Sequence, residues 1–203
     1  HEQVPAPAPV LDALTELAVQ YDGSDRWYLE AVGIAARGRE DALYARLKAR
    51  QKTAAQSTQL YQLQWVLRAK SALPDLVAAM NDGSKSMGDR RLALEAVGGM
   101  EGPEPIRAVE TFVLASATPP ELVERAVSIY SHHLFGLWIE ARDSANLAAV
   151  LKKAFATPAS QAAAVDLAYS LGHLPSVPDL LVGAKSTTAD PEGPGGGMRR
   201  PAP

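Results

Sequence analysis

Apolar residues recur at three- and four-residue spacing along most of this chain, and that period predicts helix after helix. Val10, Leu11, Leu14, Leu17, Ala18 and Tyr21 share one helical face. Asp22-Gly23-Ser24-Asp25 breaks that helix and caps a second over 26–37, which Gly38 stops. A third, over 39–50, brings Ala42, Leu43 and Leu47 together. Residues 56–70 align Leu60, Leu63, Val66 and Leu67, and Pro74 starts a partner with Leu76, Val77 and Met80. Beyond the loop 81–84, a helix over 89–97 is stopped by Gly98-Gly99, and Pro105 sits in the opening turn of the next. Thr118-Pro119-Pro120-Glu121 has the form of a capping box that launches a long helix to about Glu140. Asp143-Ser144 caps a partner carrying Leu147, Val150, Leu151 and Phe155. Thr157-Pro158 opens another, ending near Gly172, and Pro178 starts the last.

No alternating strand pattern competes with this, so the fold class is all-α. The predicted second helices of each pair open near Arg39, Pro74, Pro105, Ser144 and Pro178, at intervals of 35, 31, 39 and 34 residues. Such intervals match the period of helix-pair solenoids, and the expected architecture is a right-handed α-solenoid of about five HEAT-like pairs. The run Leu-Glu-Ala-Val-Gly at 29–33 recurs at 94–98, and Leu73-Pro74-Asp75-Leu76 parallels Val177-Pro178-Asp179-Leu180. If the two Leu-Glu-Ala-Val-Gly runs are equivalent, Ala31 and Ala96 both face a repeat seam. Residues 1–9 read as a Pro/Ala-rich lead-in, 10–184 as the repeat domain, and 185–203 as a disordered Gly/Pro-rich tail.

Composition narrows the chemistry. The 203 residues are 47% hydrophobic with a net charge of -3, so no strong field favours nucleic acid. There is no cysteine, which excludes disulfides, thiolate metal sites, cysteine nucleophiles and c-type haem attachment within the chain. No apolar run is long enough for a membrane span, and no signal peptide is visible. The chain begins at His1 and is rich in Pro at both ends, which reads as a piece of a longer protein.

Candidate sites are few. His132-His133 with Glu140 suggests a metal, but adjacent helical histidines point about 100° apart and no HExxH is present, so a solvated or half-buried face is the better reading. The basic run from Arg37 to Lys52 ends a helix that begins with Glu40 and Asp41, the order the helix dipole favours. Trp27-Tyr28 and Tyr61/Trp65 are candidate partner anchors, although core or repeat-seam packing beside the leucine stripe is the better reading. The glycine run 195–197 lacks the Lys-Ser/Thr of a phosphate loop, and no serine sits on a nucleophile elbow.

Residues 21–40, YDGSDRWYLEAVGIAARGRE, resemble a segment of the large PVC-type haem-binding, membrane-bound-dehydrogenase-like proteins of the Planctomycetes and Verrucomicrobia. In that family a propeller resembling sugar dehydrogenases precedes HEAT-like repeats and a cytochrome c-type domain. Beyond residue 56 the likeness rests on repeat architecture alone. The chain has no CxxCH and no propeller strands, so the family's haem ligands and dehydrogenase site map onto no residue here. The resemblance implies a non-catalytic spacer and docking surface in an exported, periplasmic redox protein, with no cofactor in this chain and protein as its partner. A stand-alone repeat protein binding a peptide is the alternative, and a small all-α enzyme is a third reading disfavoured by the missing acid/base and metal constellations.

Overall fold

A computed structural model describes residues 8–171, and these are all-α, with ten α-helices and no strand. The helices are α1 (Ala8–Val19), α2 (Arg26–Ala35), α3 (Glu40–Arg50), α4 (Ala54–Leu67), α5 (Leu73–Asn81), α6 (Met87–Gly98), α7 (Pro103–Leu114), α8 (Pro120–His133), α9 (Leu147–Ala156) and α10 (Gln161–Ser170). Short 3-10 turns precede α5, α9 and α10. The expectations for residues 1–7, His173, the helix at Pro178 and the tail 185–203 lie outside the described residues.

Helix starts follow local chemistry. Asp25 caps α2, its carboxylate accepting from the Trp27 and Tyr28 amides at 2.9 and 3.1 Å. Thr53 and Gln56 form a reciprocal capping box on α4. Ser86 caps α6 through the Asp89 amide. The lead-in is shorter than expected, because Ala8 and Pro9 already belong to α1.

Several sequence expectations are corrected. Thr118 caps nothing: its hydroxyl donates to the Phe112 carbonyl at the end of α7, and α8 starts after Pro119 with no side-chain cap. Asp143-Ser144 does not cap α9 either, which begins only at Leu147 after Asn146. The long helix to Glu140 stops at His133. There Trp138 turns back into the core, fully buried, and its indole N–H donates to the Met100 carbonyl at 2.9 Å. That bond and the edge-on Tyr130 ring fix the tight chain reversal at 134–138.

The helices interlock in two series. In one, α1 packs on α3, α3 on the turn leading into α5, α5 on α7, and α7 on α9. In the other, α2 packs on α4, α4 on α6, α6 on α8, and α8 on α10. One apolar core runs the length of both, from Leu11 to Ala168. The starts of α4, α6 and α8, at Ala54, Met87 and Pro120, fall at an even 33-residue spacing. Polar links between series members have similar offsets, as in Thr58 to Asp89 and Arg125 to Glu95.

The repeated Leu-Glu-Ala-Val-Gly run occupies matching places in α2 and α6, but not as expected. Leu29 and Leu94 are buried, and Glu30 and Glu95 each pair with an arginine four residues earlier, Arg26 and Arg91. Ala96 is buried whereas Ala31 is exposed, so the alanines do not share a seam position. The difference follows from neighbours: α6 is covered by α4, α5, α7 and α8, while α2 is covered chiefly by α1 and α4.

The pairing of helices also differs from the sequence division. Among all helix pairs α5 packs most extensively on α6, across an expected unit boundary. Arg90 of α6 contributes to this contact: it is buried, and its Nε donates at 2.9 Å to the Met80 carbonyl at the end of α5.

Candidate functional site

Three successive turns line one edge of the molecule: 36–39 between α2 and α3, 68–72 between α4 and α5, and 99–102 between α6 and α7. Between the first two turns and the start of the third lies an open groove of about 920 Å³. Its apolar surface comes from Ile34 at the end of α2 and from Trp65 and Val66 near the end of α4, with Met100 beneath. Ile34 is 62% and Trp65 39% exposed, so the groove presents apolar surface to solvent.

Its charges divide into engaged and open groups. Glu40 accepts from the Gly38 amide at 2.8 Å, and Asp41 accepts from both the amide and the hydroxyl of Ser71 at 2.8 Å. Those two carboxylates hold the turns in place. Glu30 pairs with Arg26 at 3.9 Å. Arg37, Arg68 and Lys70 are exposed and make no ion pair among the described residues. In the first turn, Arg39 also has a buried Nε with no hydrogen-bond partner.

Each of the three turns contains one residue at positive φ: Gly38 at 76°, Arg68 at 52° and Gly102 at 106°. Glycine adopts such angles freely, whereas for a residue with a Cβ the cost is about 1–2 kcal/mol. Arg68 is the one non-glycine residue with positive φ among those described, and it ends α4 as the left-handed cap. Its Nε lies beside Gly99, 3.6 Å from where a Cβ there would stand, so the guanidinium rests near the C-terminal end of α6.

The four aromatic candidates separate. Tyr28 is half-buried, stacked on Tyr21 with ring centres 6.3 Å apart, and its hydroxyl donates to the Leu17 carbonyl at 2.7 Å; it holds α1 to α2. Tyr61 is buried core. Trp27 is 82% exposed but sits in the first turn of α2, at the other end of that helix from the groove. Trp65 alone of the four lines the groove. The positions that sequence reasoning missed are Arg68 and Lys70. A signal was present, since the turn Leu67-Arg68-Ala69-Lys70 has no glycine where the turns on either side do.

Among the described residues no group of three or more His, Asp or Glu is placed to hold an ion. His133 packs against Trp138, ring centres 5.8 Å apart, while His132 is exposed. Burial, then the charges of His132 and Arg68, push the His133 imidazole below its ordinary value. A second buried polar group, Glu110, accepts from the Tyr130 hydroxyl at 2.7 Å and from the Asn146 amide at 3.0 Å, tying α7 to α8 and to the approach to α9. Among the described residues no helix is long and apolar enough to cross a membrane. No family model, curated protein or solved structure matches the chain.

Proposed function

We propose that this chain is a non-catalytic helical-repeat scaffold, a right-handed solenoid of about five HEAT-like helix pairs that holds a protein segment in its turn-edge groove. The interlocked helix series and the even spacing of α4, α6 and α8 support the solenoid reading. The observation that carries the binding role is the groove itself: three consecutive turns bring exposed Trp65 and Ile34 beside three cations without ion partners. Aromatic and arginine side chains at one site are the composition of binding hot spots.

The likeness of residues 21–40 to the repeat region of the PVC-type proteins supports a wider reading. In it the chain is a segment of an exported, periplasmic dehydrogenase/cytochrome c-type protein, and the bound segment belongs to a neighbouring domain. Catalysis and cofactors then reside elsewhere in that parent.

Panning a peptide library on the full chain tests the binding role. Enriched peptides should lose at least tenfold in affinity on Trp65→Ala; no enrichment, or peptides indifferent to that change, overturns it. Titrating haem and Zn²⁺ into the chain tests the non-catalytic part. Tight one-to-one binding of either would overturn it and turn attention to His132, His133 and His173.

A further inference from the structure

We infer that the open side of α9 around Lys152 is covered by this chain's own segment 177–180, with the Asp179 carboxylate set on the Lys152 ammonium. The inference rests on the helix-pair part of the reading above and owes nothing to the groove.

A long internal repeat carries it. Residues 147–180 align on residues 43–76 without a gap. Leu-Tyr-Ala-Arg-Leu-Lys at 43–48 falls on Leu-Ala-Ala-Val-Leu-Lys at 147–152, Leu63 on Leu167, and Leu73-Pro74-Asp75-Leu76 on Val177-Pro178-Asp179-Leu180. Where both stretches are described they agree: Leu43, Leu47 and Leu63 are buried, as are Leu147, Leu151 and Leu167, and Lys48 and Lys152 are exposed. The pair α9–α10 therefore repeats the pair α3–α4.

In the first stretch the role of the acid is visible. Asp75 stands in the first turn of α5, where the helix dipole favours a carboxylate, and accepts from the Tyr44 hydroxyl and the Lys48 ammonium of α3. Leu76 beside it is buried. In the second stretch the lysine is in place without its acid, since Lys152 makes no ion pair among the described residues. Ala148 stands where Tyr44 does and is exposed, whereas Tyr44 is buried. That side of α9 is thus open among the described residues, and the spacing names what fits it. Asp179 follows Lys152 at the same interval as Asp75 follows Lys48, with Leu180 in the place of Leu76. Because α10 ends at Ser170, the segment lies only a few residues further along the chain. Such a contact within one chain has an effective concentration on the order of millimolar, which a separate partner would have to exceed.

The test uses the full chain, which has no cysteine of its own. One variant carries Lys152→Cys with Asp179→Cys, a control carries Lys48→Cys with Asp75→Cys, and a third carries Ala31→Cys with Asp179→Cys. Each is treated with a short bis-maleimide at low protein concentration, and the links are mapped by mass spectrometry. The first two pairs should link within one chain to a similar extent, at least fivefold above the third. In the cysteine-free chain, Lys152→Glu should speed amide hydrogen exchange over residues 177–182 at least threefold, and adding Asp179→Lys should restore it. If the control links and the 152/179 pair does not, the inference is overturned while the helix-pair reading stands. If the control itself fails to link, both fall. Links that form only between chains overturn the inference too, because a second copy would then supply the segment. So does a Lys152→Glu protein whose exchange over 177–182 is unchanged.

Discussion

Gly98 of α6 lies against Ile129 of α8 so closely that a Cβ on the glycine would stand 2.6 Å from Ile129 Cγ2. Gly33 of α2 stands in the same relation to Val66 of α4, at 2.8 Å. The final glycine of each repeated run is thus the point where one helix touches the next in its series. Gly98→Ala and Gly33→Ala should each destabilise by about 1–3 kcal/mol, read from urea unfolding. Combining Gly98→Ala with Ile129→Ala should cost less than the two single changes added together, because the clash partner is gone. Strict additivity would show that the contact does not limit the packing.

The two alanines of the run should respond differently. Ala96→Leu inserts bulk where the side chain is fully buried and should cost about 1–3 kcal/mol. Ala31→Leu, on an exposed position, should change stability by less than about 0.5 kcal/mol. Equal losses at both would restore the seam equivalence that the repeat suggests.

Arg90 offers a third measurement. Replacing it with Met keeps the buried volume but removes the donor to the Met80 carbonyl, leaving a helix-end carbonyl without that partner. A loss of about 1–3 kcal/mol is expected in thermal or urea unfolding. A neutral result would mean that the α5–α6 contact is held by its apolar side chains alone.

Much of the fold was legible because helical period and capping are local. Asp25 and Pro105 each act within a turn of their own position, and the sequence pattern places both at helix starts. The failures involve partners far along the chain. Nothing near Trp138 announces that its indole will reach Met100 and end α8 early. Thr118 fits a capping box in sequence, yet the end of α7 takes its hydroxyl first. Gly98-Gly99 does end α6 as the pattern expects, but nothing local shows that the missing Cβ of Gly98 also makes room for Ile129. The groove was the least legible part, since it is assembled from three turns about thirty residues apart. Trp65 was found as a candidate, whereas Arg68 shows its significance only through a backbone angle.

Stability should also depend on the charge of His133. Its folded value is depressed by burial and by neighbouring His132 and Arg68, so the unfolded chain takes up the proton first. The contribution is therefore complete above about pH 6.5 and is lost as pH falls through the lower folded value. The urea midpoint of the native protein should drop between pH 7.5 and 5, and His133→Asn should flatten that part of the profile. A variant with the same slope as the native protein would assign the dependence to other groups.

At the start of the chain, Arg46 pairs with Asp12, and Arg50 pairs with Glu16 at 2.6 Å, so two charges one turn apart on α3 meet two charges one turn apart on α1. Exposed pairs of this kind add little to stability, on the order of 0.2–1 kcal/mol each. Their matched spacing acts instead as a vernier. Sliding α1 along α3 by one turn would leave one arginine and one acid without a counterpart, so only one alignment satisfies all four. The opening helix is thereby keyed to a single phase against α3.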